Sequence, residues 1–324
     1  MTKKTLSTRD LHLERKVMWD SSIANHEKFL NKETGMFQNS FLETRSCPTC
    51  ETQNDETLFI KSGGTYVRCA ECEMVYLNPV FKDSAIEEYY RGNHNLQSTI
   101  VANDFGFYRE LYTKGLTGFQ KIFDKPNPTI LDIGCSAGGF LNIAKEFGWK
   151  TFGLEFNKQE AAVSRKSQHE VFEMDLGTFV KTSDLKFDAI TLWDVFEHIK
   201  NGEALLAQAR TVLNANGGVF IQSPTPTALA PKILHEKCNM FDGLEHVNLY
   251  TFENIRQLAE KTGFEVYSYC TVISEKGVIN NYLNYKDPYL GSTDKLELKD
   301  VVTDEYILGN NLGYKFQIFL KKKS

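Results

Sequence analysis

Thr129-Ile-Leu-Asp-Ile-Gly134-Cys-Ser-Ala-Gly138-Gly139-Phe140 decides the fold of this chain. Ile130, Leu131 and Ile133 give the short apolar run of a central parallel strand. Gly134, Gly138 and Gly139 then let the backbone turn where a side chain would block a ligand. The stretch therefore reads as a buried strand joined to a helix through a glycine turn, the construction of a cofactor site. Its G-x-x-x-G-G spacing departs from the G-x-G-x-x-G dinucleotide fingerprint, and no Lys-Ser or Lys-Thr follows to hold a triphosphate.

Outward from this stretch the order strand, helix, strand recurs, as in a parallel sheet covered on both faces. A second strand, Thr151 to Phe156, carries Glu155 twenty-one residues after Gly134. A third, near Val171 to Met174, ends in Asp175; a fourth motif, F-D-A-I-T-L-W-D-V-F-E-H-I, runs from Phe187 to Ile199. A fifth strand is G-G-V-F-I-Q-S-P, Gly217 to Pro224. These five stretches, in this order from about Thr129 to about Ile273, resemble the class I S-adenosylmethionine-dependent methyltransferases. The opening motif of that group, hydrophobic-L-D-hydrophobic-G-x-G-x-G, stands here as L-D-I-G-C-S-A-G, with Ser136 at the middle glycine.

The resemblance implies an α/β, Rossmann-like doubly wound sheet with a final antiparallel strand, and S-adenosylmethionine as cofactor. It places Asp132 and Gly134 at the methionine end and Cys135, Ser136 and Gly138 in the turn. Glu155 would hold the ribose, as carboxylates at that strand end do in doubly wound folds. Asp175 would accept from the adenine amino group, and Trp193 and Asp194 stand in the fourth motif. For each acidic residue the alternative is a helix cap or a surface charge.

At 324 residues the chain can bury a substantial core, and 41% hydrophobic with 24% charged residues is the composition of a soluble globular protein. No apolar run approaches the length of a membrane span, and the N-terminus lacks the apolar core of a signal peptide, so a cytoplasmic enzyme with no membrane partner is expected. The net charge is −5 and the basic residues are scattered, apart from Lys321 to Lys323. That balance argues against a nucleic-acid partner, which calls for a basic footprint.

Four segments are expected: a helical extension over 1–40 with apolar Leu11, Val17, Met18, Phe29 and Leu30; a zinc ribbon over 41–82; a helical, aromatic cap over 83–126; and a methyltransferase domain over 127–324 with an insertion at 274–311. The ribbon rests on Cys47-Pro-Thr-Cys50, an 18-residue interval, and Cys69-Ala-Glu-Cys72. Two C-x2-C knuckles at this separation can bring four thiolates onto one structural zinc, with no coordination position left for substrate. A disulfide pair is the alternative. Glu51 and Glu73 follow the knuckles where glycine is usual. Towards the C-terminus, a helix from an N-cap at Thr251 to Thr262, a stop at Gly263, a strand Phe264 to Ile273 and a last strand Gly313 to Leu320 are expected.

Two acidic-histidine pairs compete for the acceptor. Asp194-x-x-Glu197-His198 resembles a run that binds a divalent cation, magnesium, in quinone O-methyltransferases, the alternative being a pair that stabilises its loop. Glu245-His246, in L-E-H-V-N-L-Y-T, resembles a segment of sugar C-methyltransferases. Those enzymes also begin with a four-cysteine ribbon, and in them that histidine is proposed as the proton-abstracting base. The alternative is a histidine that orders its loop. The sugar enzymes continue into a large further domain that this sequence lacks, which favours O-methylation over C-methylation. His94 reads as a surface-loop residue. The expectation is thus methylation of a small-molecule acceptor, a sugar, glycan or natural-product precursor. An RNA or protein methyltransferase docking through the ribbon, and a non-catalytic cofactor-binding regulatory module, are the competing expectations.

Overall fold

The structure, a computed structural model, describes residues 25–92, 105–123, 125–284 and 302–323. The expectations for Leu11, Val17, Met18 and His94, and for the middle of the 274–311 insertion, fall outside those residues.

Strands β1 (Leu42–Glu43), β2 (Asp55–Lys61), β3 (Gly64–Cys69), β4 (Val75–Leu77) and β5 (Val80–Phe81) come first, then helices α1 (Asp83–Gly92) and α2 (Phe105–Gln120). An alternating run follows: β6 (Thr129–Ile133), α3 (Gly139–Glu146), β7 (Lys150–Leu154), α4 (Lys158–Lys166), β8 (Glu170–Phe172), α5 (Leu176–Thr182), β9 (Phe187–Trp193), α6 (Gly202–Thr211) and β10 (Leu213–Pro224). The remainder is α7 (Leu229–Leu234), β11 (Asn248–Leu249), α8 (Phe252–Lys261), β12 (Phe264–Val272), α9 (Lys276–Asn284), α10 (Asp304–Gly309) and β13 (Lys315–Lys322). The chain divides into two compact units, one formed within Met1–Asn95, Pro224–Thr251 and Thr271–Lys315, the other within Leu96–Ser223, Phe252–Cys270 and Phe316–Ser324.

The second unit is built on a seven-stranded sheet in the order β12-β13-β10-β9-β6-β7-β8. Its pairs from β10 to β8 are parallel, and β13 lies between β10 and the edge strand β12, the final strands being antiparallel as the sequence implied. β6 is an interior strand, and its apolar residues have packing on both faces: Ile130 and Leu131 are fully buried, paired with Thr151 and Phe152 on one side and Ala189 and Ile190 on the other. α3 buries Phe140, Leu141, Ile143 and Ala144, a helical stripe against the same core. Phe119 of α2 stacks on Phe319 of β13 with centroids 4.9 Å apart. β10 begins at Leu213 rather than Gly217, with a register break between Leu213 and Gly218. α8 starts directly after Thr251, and Gly263 follows it at φ +78°.

The first unit carries a four-stranded sheet in the order β11-β4-β3-β2, antiparallel throughout. Three of its strands come from the cysteine-bearing segment; the fourth, β11, comes from beyond residue 240. Tyr66, Val75 and Leu77 of the sheet pack with Leu234, Met240, Phe241, Val247 and Leu249 in one apolar core. Phe29 and Phe37 find their partners in a second core with Phe81, Ala85, Tyr89 and Leu244.

Candidate functional site

The glycine turn after β6 is held from beneath and from the side. Gly134 and Cys135 donate their amides to the Leu154 carbonyl at 2.8 and 3.1 Å, which ties the turn to the end of β7. Gly134 has φ +72°, and a Cβ there would stand 2.7 Å from a Val195 methyl, so only glycine fits. Ser136 also has positive φ, at 47°. Its amide donates to Glu155 Oε2 at 2.9 Å and its hydroxyl to Glu160 at 2.6 Å. Glu155 Oε1 accepts the Asn157 amide at 2.7 Å, and Asn157 caps α4. Each Glu155 oxygen thus takes one amide hydrogen and keeps a lone pair for a further donor. Burial pushes its carboxyl above the usual carboxylate range, and Glu160 adds to the rise. Phe156, the next residue, is 70% exposed, a large ring that its place at the end of an apolar strand did not foretell.

Asp132 sits beneath the turn, buried, accepting the Thr191 hydroxyl at 2.7 Å. Burial drives its carboxyl up to about 8 in spite of that bond, with Glu155 adding to the rise. Cys135 is buried with its sulfur against Gly153, where a Cβ would come within 2.4 Å, so it is a packing residue of the turn. Gly138, at φ +82°, has a Ser164 hydroxyl and His169 where a Cβ would stand. Asp175 is the N-cap of α5, accepting the Thr178 amide at 2.5 Å.

Trp193 ends β9 and packs among Tyr112, Phe140 and Phe220, with centroids at 4.8, 5.0 and 4.5 Å. Asp194 has φ +56° and accepts from Gln222, which in turn accepts from Gln317, a buried amide relay that the sequence did not announce. Glu197 is buried and His198 half-buried in a short 3-10 turn. Asp194, Glu197 and His198 do not converge as a three-ligand set among the described residues.

In the first unit the four cysteine sulfurs Cys47, Cys50, Cys69 and Cys72 lie within 4.8 Å of one another, with Cys47 to Cys72 and Cys50 to Cys69 both at 3.5 Å. All are free thiols. Sulfurs about 2.3 Å from a zinc at tetrahedral angles stand roughly 3.8 Å apart, so the set fits that ion. Both knuckles have one geometry: Glu51 and Glu73 donate to the carbonyls of Cys47 and Cys69, and each adopts positive φ, 65° and 57°. The turn is thus kept without the glycine, with a side chain in a conformation that glycine adopts more easily.

Glu245 and His246 lie in the same unit. Asp242 Oδ1 accepts the amides of Leu244, Glu245 and His246 at 2.8, 2.9 and 3.2 Å, an Asx turn that Asp242-Gly243 signals in the sequence. His246 Nδ1 is 2.8 Å from the Met240 carbonyl. A carbonyl only accepts, so the proton of the neutral ring is on Nδ1 and the lone pair is on Nε2. Glu245 accepts the Tyr89 phenol at 2.5 Å. Burial, and next Asp242, raise the Glu245 carboxyl above the usual range.

A family profile described as a methyltransferase domain matches residues 106–269, just over half of the chain. Among curated proteins none matches the sequence. Solved structures similar to this chain include a SAM-dependent methyltransferase from Archaeoglobus fulgidus, 22% identical, covering 66% of this chain and 94% of its own, TM-score 0.46. A second is the plantazolicin methyltransferase in complex with a desmethyl analogue and SAH, 17% identical, covering 70% of this chain and 90% of its own, TM-score 0.47. A third is the magnesium protoporphyrin IX methyltransferase of Synechocystis PCC 6803 with bound SAH, 12% identical, 74% and 95% covered, TM-score 0.46. Within the described residues no helix is long and apolar enough to cross a membrane.

Proposed function

Because this chain belongs to the methyltransferase-domain family, we propose that it moves the methyl group of S-adenosylmethionine to a hydroxyl oxygen of a polar small molecule, a sugar, glycan or natural-product precursor. Bound S-adenosylmethionine supplies a sulfonium carbon open to in-line displacement, a reaction governed by orientation and by removal of the nucleophile's proton. Glu155, with its amide bonds to Ser136 and Asn157, keeps acceptor capacity for the two ribose hydroxyls. Phe156 offers a ring face to the adenine, Asp175 an acceptor for its amino group, and Asp132 a carboxyl at the methionine end. Gly134 and Gly138 keep the turn tight against Val195, Ser164 and His169, and the Ser136 hydroxyl is turned to Glu160.

The observation that supports His246 as the base is its Nδ1–H bond to the Met240 carbonyl, which leaves the basic lone pair on Nε2. His246 takes the hydroxyl proton on Nε2 as the oxygen–carbon bond forms and the carbon–sulfur bond breaks. Glu245, held by Tyr89, orders the same turn. The four cysteines would hold one structural zinc, leaving no coordination position for the acceptor. The test is incubation of the protein with methyl-labelled S-adenosylmethionine and extracts fractionated into small molecules, RNA and protein. Label in the small-molecule fraction supports the reading; label in RNA or protein moves the acceptor there.

A further inference from the structure

The ribbon and the Glu245-His246 segment are one piece of structure. β11 pairs antiparallel with β4, Asn248 opposite Tyr76 and Leu249 opposite Val75, and β4 begins three residues after Cys72. Leu77 donates its amide to the Val247 carbonyl at 3.0 Å. Arg45, two residues before Cys47, donates Nε to the Leu77 carbonyl at 3.0 Å and one terminal nitrogen to the Val247 carbonyl at 2.7 Å and Asn248 Oδ1 at 2.9 Å. Its guanidinium also lies over the Tyr76 ring, 5.2 Å from the centroid. Tyr66, fully buried on β3, donates its phenol to the His246 carbonyl at 3.2 Å and accepts the Gly243 amide at 3.3 Å. The β2–β3 hairpin closes on the same turn from a third side. A Cβ on Gly64 would stand 2.0 Å from the Gly243 carbonyl oxygen, and one on Gly243 would stand 2.1 Å from that of Lys61.

We propose that the four-cysteine ribbon is the scaffold of the acid–base segment: Arg45 and Tyr66 are positioning residues for His246, and metal held by Cys47, Cys50, Cys69 and Cys72 fixes that position. A docking module would present its sheet to a partner; here an edge of the sheet is spent on β11 and a planar, multi-donor, half-buried guanidinium is seated on the Val247 carbonyl. An ammonium cannot reproduce that fork of donors, so Lys is not equivalent to Arg at position 45. Loss of the Tyr66 hydroxyl leaves the Gly243 amide and the His246 carbonyl without that partner. This deepens the reading of His246 as the base and rests on it.

The experiment uses the full chain, metal-loaded, with ¹⁵N-labelled histidine, and reads the His246 ring nitrogens by NMR, assigned by loss of the signals in His246→Gln. In Arg45→Lys and in Tyr66→Phe the His246 signals should move, and amide exchange at Leu77 and Gly243 should accelerate by about tenfold or more. Affinity for S-adenosylhomocysteine, measured by calorimetry, should stay within about twofold. Stripping the metal with a chelator should reproduce the displacement. Arg68→Lys is the control, since Arg68 is an exposed ribbon residue paired with Glu56, and it should leave the signals in place. Unmoved His246 signals in both variants and in metal-free protein would overturn the proposal, as would an equal displacement in Arg68→Lys. Displaced signals together with full turnover of His246→Ala would uphold the scaffold and remove His246 from the base role.

Discussion

Ser136 donates its backbone amide to the carboxylate of Glu155 at 2.9 Å, so the glycine turn and the end of β7 are a single hydrogen-bonded unit. Family comparison treats the two as independent marks on a sequence. In the fold the carboxylate shapes the turn and also offers its remaining lone pairs outward.

Glu155→Ala should therefore weaken S-adenosylhomocysteine binding by roughly ten- to hundredfold, the effect of losing charge-assisted hydrogen bonds worth about 1.5–3 kcal/mol. Part of that loss acts through the turn, so Glu155→Gln, which keeps an acceptor for the Ser136 amide, should recover some of it. Calorimetry finding parental affinity in Glu155→Ala would remove the residue from the ribose role.

Asp132 gives a sharper test of the methionine end. With its carboxyl pushed up to about 8 by burial, it is held mainly in the protonated form at pH 7. A cationic amino group arriving beside it favours the ionised form, so the proton must leave. Calorimetry at pH 7 in two buffers of different ionisation enthalpy should show net release approaching one proton per cofactor bound. Asp132→Asn should abolish it. Equal release in the variant would show that the proton comes from elsewhere.

His169 makes stability fall in acid. It is buried beside Gly138, with Nδ1 2.8 Å from the Thr151 hydroxyl and Nε2 3.0 Å from Asn142 Oδ1. Burial, and next Lys145, lower it from 6.5 to about 4. The folded state thus disfavours the charged ring. The stabilisation it confers is complete above the unfolded value of 6.5 and is lost as pH falls towards 4. The full effect is roughly 3 kcal/mol. Denaturant titrations of the parent and His169→Gln between pH 7 and 4 should show the parent losing stability relative to the variant, and parallel curves would refute the assignment.

The parallel sheet was legible because its signal is local: largely apolar stretches of five to seven residues at β6, β7 and β9, with the glycine turn directly after β6 and Glu155 directly after β7. The four cysteines were legible from spacing alone. What no local pattern carries is β11, a two-residue strand whose partner β4 lies more than 170 positions earlier. For the same reason the reading of the ribbon as a separate segment over 41–82 gave no sign that Arg45 reaches Val247. The N-cap role of Asp175 was foreseen as an alternative, since Asp before a helix satisfies a terminal amide whether or not a ligand is near.

The cysteine cluster should hold one zinc per chain, measured by elemental analysis on protein purified without chelator. Changing Cys47 and Cys50 to serine should remove it and the order of the surrounding ribbon, because the ligand set contributes folding energy. Zinc absent from the parent protein, or the four thiols found oxidised in pairs under reducing conditions, would exclude the assignment.

His246 separates chemistry from cofactor binding. The glycine turn is held by bonds to Leu154, Glu155 and Glu160, none of which involves the His246 imidazole. With an acceptor in hand, His246→Ala should lower kcat by about a hundred- to ten-thousandfold, the usual cost of losing a general base, while S-adenosylhomocysteine affinity changes little. Nucleophiles of graded acidity refine the test. An acceptor whose hydroxyl ionises at neutral pH needs no base, so the variant's deficit should shrink as the acceptor becomes more acidic. A deficit that stays constant across such a series would assign His246 to holding its loop, with Asp242 and Met240, rather than to proton transfer.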